Sequence, residues 1–162
     1  MLISTESISL NYVKYSETSI IVKCFTKSDG LKSYLIKGIR SSKKKSLNIG
    51  LFQPLTILEI DANHKNKGNL ESIRSAKISN SYKTVHIDIF KNSIVLFLSE
   101  VLAKSIKEEE KNIELFEFVK KSMIWLDNSE KFSNFHIQFL VKLLSFLGIF
   151  PEKIEKTMNG FN

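Results

Sequence analysis

The sequence predicts an all-β barrel over residues 1–80 followed by an all-α helical domain over residues 81–162, two small domains in one chain. Three observations carry this reading. In the first half, apolar residues alternate with polar ones at the period of a half-buried strand. Gly, Pro, Asn and Asp clusters cut that half into five short runs. Past Val85 the apolar spacing becomes three and four, the period of a helix.

Ile8, Leu10 and Tyr12, alternating with Ser9 and Asn11, give the first strand. Ser19 to Thr26 gives the second, with Ile20, Ile21, Val22, Cys24 and Phe25. Lys27-Ser28-Asp29-Gly30 reads as a hairpin turn, because Asp-Gly supplies the positive φ of tight turns. Leu31 to Ile36 forms the third strand, and Lys37 to Ser46 is a polar, basic loop. The fourth strand runs from Leu55 to Ile60, with Pro54 at its start, where a missing amide hydrogen is tolerated. A polar loop, Asn63 to Asn69, leads to the fifth strand, Leu70 to Ala76. Five short strands suit a closed barrel, which hides strand edges. The five-stranded OB-fold is the commonest such barrel that binds nucleic acid, and an SH3-like barrel would give much the same pattern.

Asp88 is placed to cap a first helix whose apolar residues are Phe90, Ile94, Phe97, Leu98, Val101 and Leu102. A second helix, Asn112 to Leu126, carries Phe116, Val119, Met123 and Leu126 on one face. A third starts near Ser133, carries Phe139, Leu140, Leu143, Phe146 and Leu147, and is stopped by Gly148 and Pro151. Glu152 to Met158 is expected to form a short fourth helix.

The chain has 162 residues, of which 43% are hydrophobic, so a packed core is expected and global disorder is not. No apolar run approaches the roughly 20 residues of a membrane helix. The N-terminus lacks the basic region and apolar stretch of a signal peptide. Cys24 is the single cysteine, which excludes an internal disulfide and a cysteine-rich zinc site. A cytoplasmic protein with no membrane partner is expected.

The formal net charge is +7, and the whole excess lies in the first half. Residues 1–80 hold 13 Lys and Arg against 6 Asp and Glu, whereas residues 81–162 hold 11 of each. A one-sided excess points to a polyanionic partner there, against the simpler reading of a solubilising surface. Lys37, Arg40, Lys43, Lys44 and Lys45 place five cations in nine residues, with small Gly and Ser between them. Such a loop can follow a phosphate backbone without steric obstruction. Lys23, Lys27 and Lys32 are candidates to extend the patch across the barrel. Tyr12, Tyr15, Phe25 and Tyr34 are candidates to stack on bases, although each also fits a core or half-buried strand position.

Six segments then resemble one family. Tyr15-Ser16-Glu17-Thr18-Ser19-Ile20-Ile21 is similar to the opening segment of the bacterial RecO recombination mediators. Ile36-Lys37-Gly38-Ile39-Arg40 resembles that family's basic loop, and Leu51-Phe52-Gln53-Pro54-Leu55 its Leu-Gln-Pro element with one residue inserted. Lys91-Asn92-Ser93-Ile94 with Glu100-Val101-Leu102 resembles its first helix, and Leu115-Phe116-Glu117-Phe118 its second. Asn134-Phe135-His136-Ile137-Gln138-Phe139-Leu140, ending in Leu147-Gly148-Ile149-Phe150-Pro151, resembles its third. The six occur in order and cover nearly the whole chain. The resemblance implies an N-terminal OB-fold and a C-terminal helical domain. It also implies binding of single- and double-stranded DNA, and annealing of complementary strands. The implied partners are RecR, the C-terminal tail of single-stranded-DNA-binding protein (SSB) and, indirectly, the RecA recombinase. Family members continue past the Gly-x-x-Pro element with further helices and often a four-cysteine metal element, so the family's C-terminal region is expected to be missing here.

No catalytic constellation is expected, and no cofactor. His64, His86 and His136 lie in different elements without a ligand at metal spacing, and there is no Gly-x-x-x-x-Gly-Lys phosphate loop. Glu108-Glu109-Glu110 reads as a charged surface between helices. The expectation is a non-enzymatic DNA-binding mediator. Its rivals are a general OB-type RNA- or DNA-binding module and a small enzyme whose basic loop holds a phosphorylated metabolite.

Overall fold

A computed structural model describes residues 1–41, 47–67, 70–106 and 110–149. It contains strands β1 (Leu2–Lys14), β2 (Ile20–Thr26), β3 (Gly30–Ile36), β4 (Ile57–Asn63) and β5 (Ser72–Asn80), and helices α1 (Ile89–Ser105), α2 (Ile113–Asn128) and α3 (Phe135–Phe146). The short helix expected at residues 152–158 lies outside the described residues.

The sheet order is β3-β2-β1-β4-β5, with every neighbouring pair antiparallel. β1 is longer than its alternating core at residues 8–12 suggests, because it serves two partners. Leu2 to Ile8 pairs with β4, while Ser7 to Lys14 pairs with β2. A bulge between Ser9 and Asn11 bends the strand between them, as closing a small barrel requires. Closure itself is a parallel bridge from Tyr34 to Glu71, where Glu71 N–H donates to Ser33 O at 2.9 Å and Leu35 N–H to Glu71 O at 3.0 Å. A five-stranded barrel sharing its bent first strand between two pairings and closed by β3 against the lead-in to β5 is the OB arrangement.

The barrel interior follows the period-2 rule. Ile20, Val22 and Cys24 of β2 meet Tyr34 and Ile36 of β3, Leu58, Ile60 and Ala62 of β4, and Ile73 of β5, with Ile39 and Phe52 filling the ends. Pro54 does not open β4. A 3-10 turn, Ile49–Phe52, precedes it, and β4 begins only at Ile57. Between them Leu55 takes a left-handed φ of 58°, and its amide donates to Ser9 O at 2.7 Å.

The chain divides into two compact units, Met1–Asn128 and Ser129–Asn162. In the first, α1 and α2 cover the barrel. Phe116 of α2 packs its ring 5.7 Å from Phe25 of β2. Lys27 pairs with Glu117 at 2.8 Å and Glu6 at 3.6 Å, and Lys120 pairs with Glu6 at 2.5 Å. The connection into α1 is pinned at both sides. Tyr82 Oη donates to Leu55 O at 2.5 Å, and the Asp127 carboxylate accepts the amides of Lys83, Thr84 and Val85.

Asp88 caps α1 as expected, accepting from the amides of Phe90 and Lys91. Its buried face differs from the predicted stripe. Val95, Leu98 and Leu102 are buried, but Phe90 is 72% and Phe97 48% exposed, while Lys91 is only 4% exposed. The physical reason is a polar partner set: Lys91 Nζ donates to Thr84 Oγ1 at 2.8 Å and to Asp127 O at 3.1 Å. In the second unit, α3 buries Phe135, Phe139 and Leu143, with the two phenylalanine rings 6.0 Å apart. Gly148, at φ +73°, ends it, and Ile149 N–H reaches back to Leu144 O at 2.9 Å. No helix among the described residues is long and apolar enough to cross a membrane.

Candidate nucleic-acid interface

The basic loop begins where β3 leaves the barrel. Ile39 is buried in the core and fixes the loop's depth, so Lys37 and Arg40 on either side are left exposed. Arg40 N–H donates to Thr18 O at 3.1 Å, which ties the loop to the β1–β2 turn. That turn is set by Tyr15 N–H donating to Ser19 O at 3.0 Å and by Ser16 Oγ accepting from Ser19 N–H at 3.2 Å. Tyr15 on it is 61% exposed, and Tyr12 and Lys14 at the end of β1 are exposed as well. The fold therefore brings Lys37, Arg40 and Tyr15 onto one joined turn-and-loop surface. Lys43, Lys44 and Lys45 lie outside the described residues.

The remaining predicted residues are dispersed. Lys23 is half-buried on the outer side of β2, paired with Asn11 and Ser33. Lys27 is taken up by Glu6 and Glu117, whose carboxyls lie below the usual range. For Glu117 the main cause is its bond to Lys27; for Glu6 burial opposes the charge, and Lys120 and Lys27 outweigh it. Lys32 is 4% exposed and donates from Nζ to Asn66 Oδ1 at 3.0 Å. Both lysines are engaged by partners within the fold. Tyr34 is fully buried, its Oη 2.8 Å from His64 Nε2, and burial pushes its hydroxyl pKa far up. Phe25 is buried against Phe116. Tyr34 and Phe25 are thus barred from base stacking by core packing, whereas Tyr12 and Tyr15 reach solvent.

Among the described residues, exposed cations outside the predicted contacts include Lys14, Lys65 and Lys67. Lys14 precedes Tyr15 in sequence, and that adjacency was the available signal. Lys65 and Lys67 sit on the β4–β5 loop, which the sequence marked only as polar. Among the described residues no group of three or more His, Cys, Asp or Glu is placed to hold a metal ion.

Comparison with known proteins adds a family. The description "Recombination protein O N terminal" matches residues 1–82, and "Recombination protein O C terminal" matches residues 86–157. The second match shows that the family's C-terminal domain is represented in this chain, over residues 86–157. A DNA repair protein RecO of Flavobacterium psychrophilum is 49% identical over 161 residues, covering 99% of this chain and 67% of the relative. That of Flavobacterium johnsoniae is 49% identical over 155 residues, covering 96% of this chain and 65% of the relative. That of Christiangramia forsetii is 41% identical over 162 residues, covering 100% and 68%. The chain spans about two thirds of the length of these relatives.

Proposed function

The chain belongs to the RecO family, and from that premise we propose that it binds single- and double-stranded DNA, anneals complementary strands and, with RecR, helps load RecA onto SSB-coated single strands. In this reading residues 1–80 hold DNA and residues 81–162 hold protein partners, among them the acidic tail of SSB. The reading makes the protein a non-enzymatic mediator that works at the nucleoid.

The observation that carries the DNA-binding part is the joined surface of Lys37, Arg40 and Tyr15. A backbone hydrogen bond fixes the cationic loop to the turn bearing the exposed aromatic ring. Cations aligned along phosphates give affinity without sequence preference, and a nearby ring offers stacking worth about 1–3 kcal/mol per base. Lys43, Lys44 and Lys45 follow in the sequence and add three cations to the candidate set.

Fluorescence anisotropy with single-stranded DNA at several salt concentrations tests it. Each phosphate contact contributes about −0.7 to the slope of log affinity against log salt. Lys37→Ala with Arg40→Ala is expected to weaken binding and flatten that slope by about 1.4. Replacing Lys43, Lys44 and Lys45 by Ala is expected to weaken it further, equally across DNA sequences. A wild-type slope near zero, or a double variant with unchanged affinity and slope, would show that this surface is not the DNA contact. Capture by an immobilised SSB tail peptide separates a mediator from a general nucleic-acid module.

A further inference from the structure

A cluster of titratable groups at the barrel seam lies outside the interface described above. The His64 imidazole, 3% exposed, sits beside the Tyr34–Glu71 bridge that closes the barrel. Its Nε2 is 2.8 Å from Tyr34 Oη and its Nδ1 is 3.3 Å from Asp29 Oδ2. Charged and titratable groups face it from every element packed there. Asp29 comes from the β2–β3 turn, Lys32 and Tyr34 from β3, and Glu71 from the lead-in to β5. From the start of β1, the Met1 ammonium donates to His64 O at 2.8 Å.

The same cluster holds the β4–β5 loop. The Glu71 carboxylate accepts from Lys65 N–H at 2.8 Å and Asn66 N–H at 2.9 Å, and Lys32 Nζ holds the Asn66 side chain. Seam, imidazole and loop are therefore one connected unit.

That unit fits a neutral imidazole. With its proton on Nδ1, facing Asp29, the ring leaves Nε2 to accept from the Tyr34 hydroxyl. A second proton on the ring removes that acceptor. Nε2 becomes a donor, and the fully buried Tyr34 hydroxyl loses the partner for its own hydrogen, a costly loss in an interior. It also puts a charge into a buried site, a cost that Lys32 adds to and that Asp29 and Glu71 oppose without cancelling.

We propose that the seam is a proton-operated latch, in which protonation of His64 loosens the β3–β5 junction and frees the segment 65–67 that carries Lys65 and Lys67. Burial holds the His64 pKa below its ordinary value, with Lys32 acting the same way and Asp29 and Glu71 opposing. A depressed imidazole pKa means that the closed form is fully favoured above the ordinary value of about 6.5 and loses stability as pH falls below it.

Amide hydrogen exchange at Leu35 and Glu71, the two seam donors, tests the latch in the full chain between about pH 8 and about pH 5, a span that brackets imidazole titration. After correction for intrinsic exchange rates, seam protection is expected to fall roughly ten-fold or more toward the acid end. His64→Gln, which keeps a hydrogen-bonding side chain but does not titrate, is expected to abolish that dependence. Seam protection that stays flat in the wild type, or the same pH dependence in His64→Gln, would overturn the latch. Should the variant not fold, the wild-type imidazole is followed by NMR. Titration of His64 near pH 6.5 with no change at Leu35 and Glu71 overturns the proposal equally, and a midpoint shared with the two amides supports it.

Discussion

Single positions in this molecule are constrained by the backbone as much as by side chains. Gly30 closes the β2–β3 hairpin at φ +70°, and a Cβ there would collide with the Glu110 backbone, which lies against the turn. Gly30→Ala is expected to lower stability by at least about 1–3 kcal/mol, the cost of left-handed strain alone. An unchanged urea midpoint would show that neither strain nor collision is felt. Asp127 is constrained by hydrogen bonding. Burial disfavours its charge, but the amides of Lys83, Thr84 and Val85 and the Thr84 hydroxyl outweigh that, and its pKa lies below the ordinary value. Glu71, Glu6 and Glu117 are lowered too. A depressed carboxyl contributes stability that is full above its unfolded pKa and lost as pH falls through the folded one. Thermal stability should therefore decline below about pH 4.5, where ordinary carboxyls begin to protonate. Asp127→Asn should be less stable at neutral pH, because its amide nitrogen faces donors, and should show a shallower acid decline. Equal acid slopes in the two proteins would remove Asp127 from the account.

At the scale of elements, the two cationic groups separate by what they touch. Lys27 ties α2 to β1 through Glu117 and Glu6, so Lys27→Met is expected to shift the denaturation midpoint while leaving DNA affinity nearly unchanged. Lys37→Ala should do the reverse. A Lys27→Met variant that loses affinity as strongly as Lys37→Ala would place Lys27 at the interface after all. Helix α1 offers a second contrast. Leu98→Ala should cost about 2–5 kcal/mol as a buried truncation, whereas Phe97→Ala, half exposed, should cost well under that. The sequence could not rank these two. The helix is apolar nearly all round, so spacing shows a helix but not which side faces inward. The buried Lys91 was illegible for a related reason. Its partners Thr84 and Asp127 lie 7 and 36 residues away, and only the fold brings them to it. The barrel strands were legible because β2, β3 and β4 alternate buried and less buried positions over most of their length, which keeps the period-2 signal sharp. Of the candidate site, the exposure of Lys37, Arg40 and Tyr15 was legible, because they stand on turns. The burial of Lys32 and Tyr34 was missed, although alternation puts both on the inward face of β3.

For the molecule as a whole, two uneven distributions set its behaviour. Positive charge is concentrated in the first half, and exposed apolar side chains stand at the entry to α1, at Ile87, Ile89 and Phe90, and midway along it at Phe97. Apolar surface left in water forgoes about 25 cal/mol per Å², comparable over a few hundred Å² with the whole stability of a small domain. The chain is therefore expected to bind a hydrophobic dye such as ANS in its native state or to self-associate. A monodisperse monomer with a sharp, high melting transition and no dye binding would contradict this. The Asp127 clamp carries a different consequence, for the order of events during synthesis. Three amides just after the barrel are held by a carboxylate made 42 to 44 residues later, and Phe25 on β2 waits for Phe116. The barrel strands can pair as soon as Asn80 has been made, but their outer face stays open and the connection to α1 stays loose until α2 follows. A nascent chain arrested between Asn80 and Asn128 would thus present a paired but incompletely covered barrel to chaperones and proteases, and the Asp127 clamp would close only with the last turn of α2.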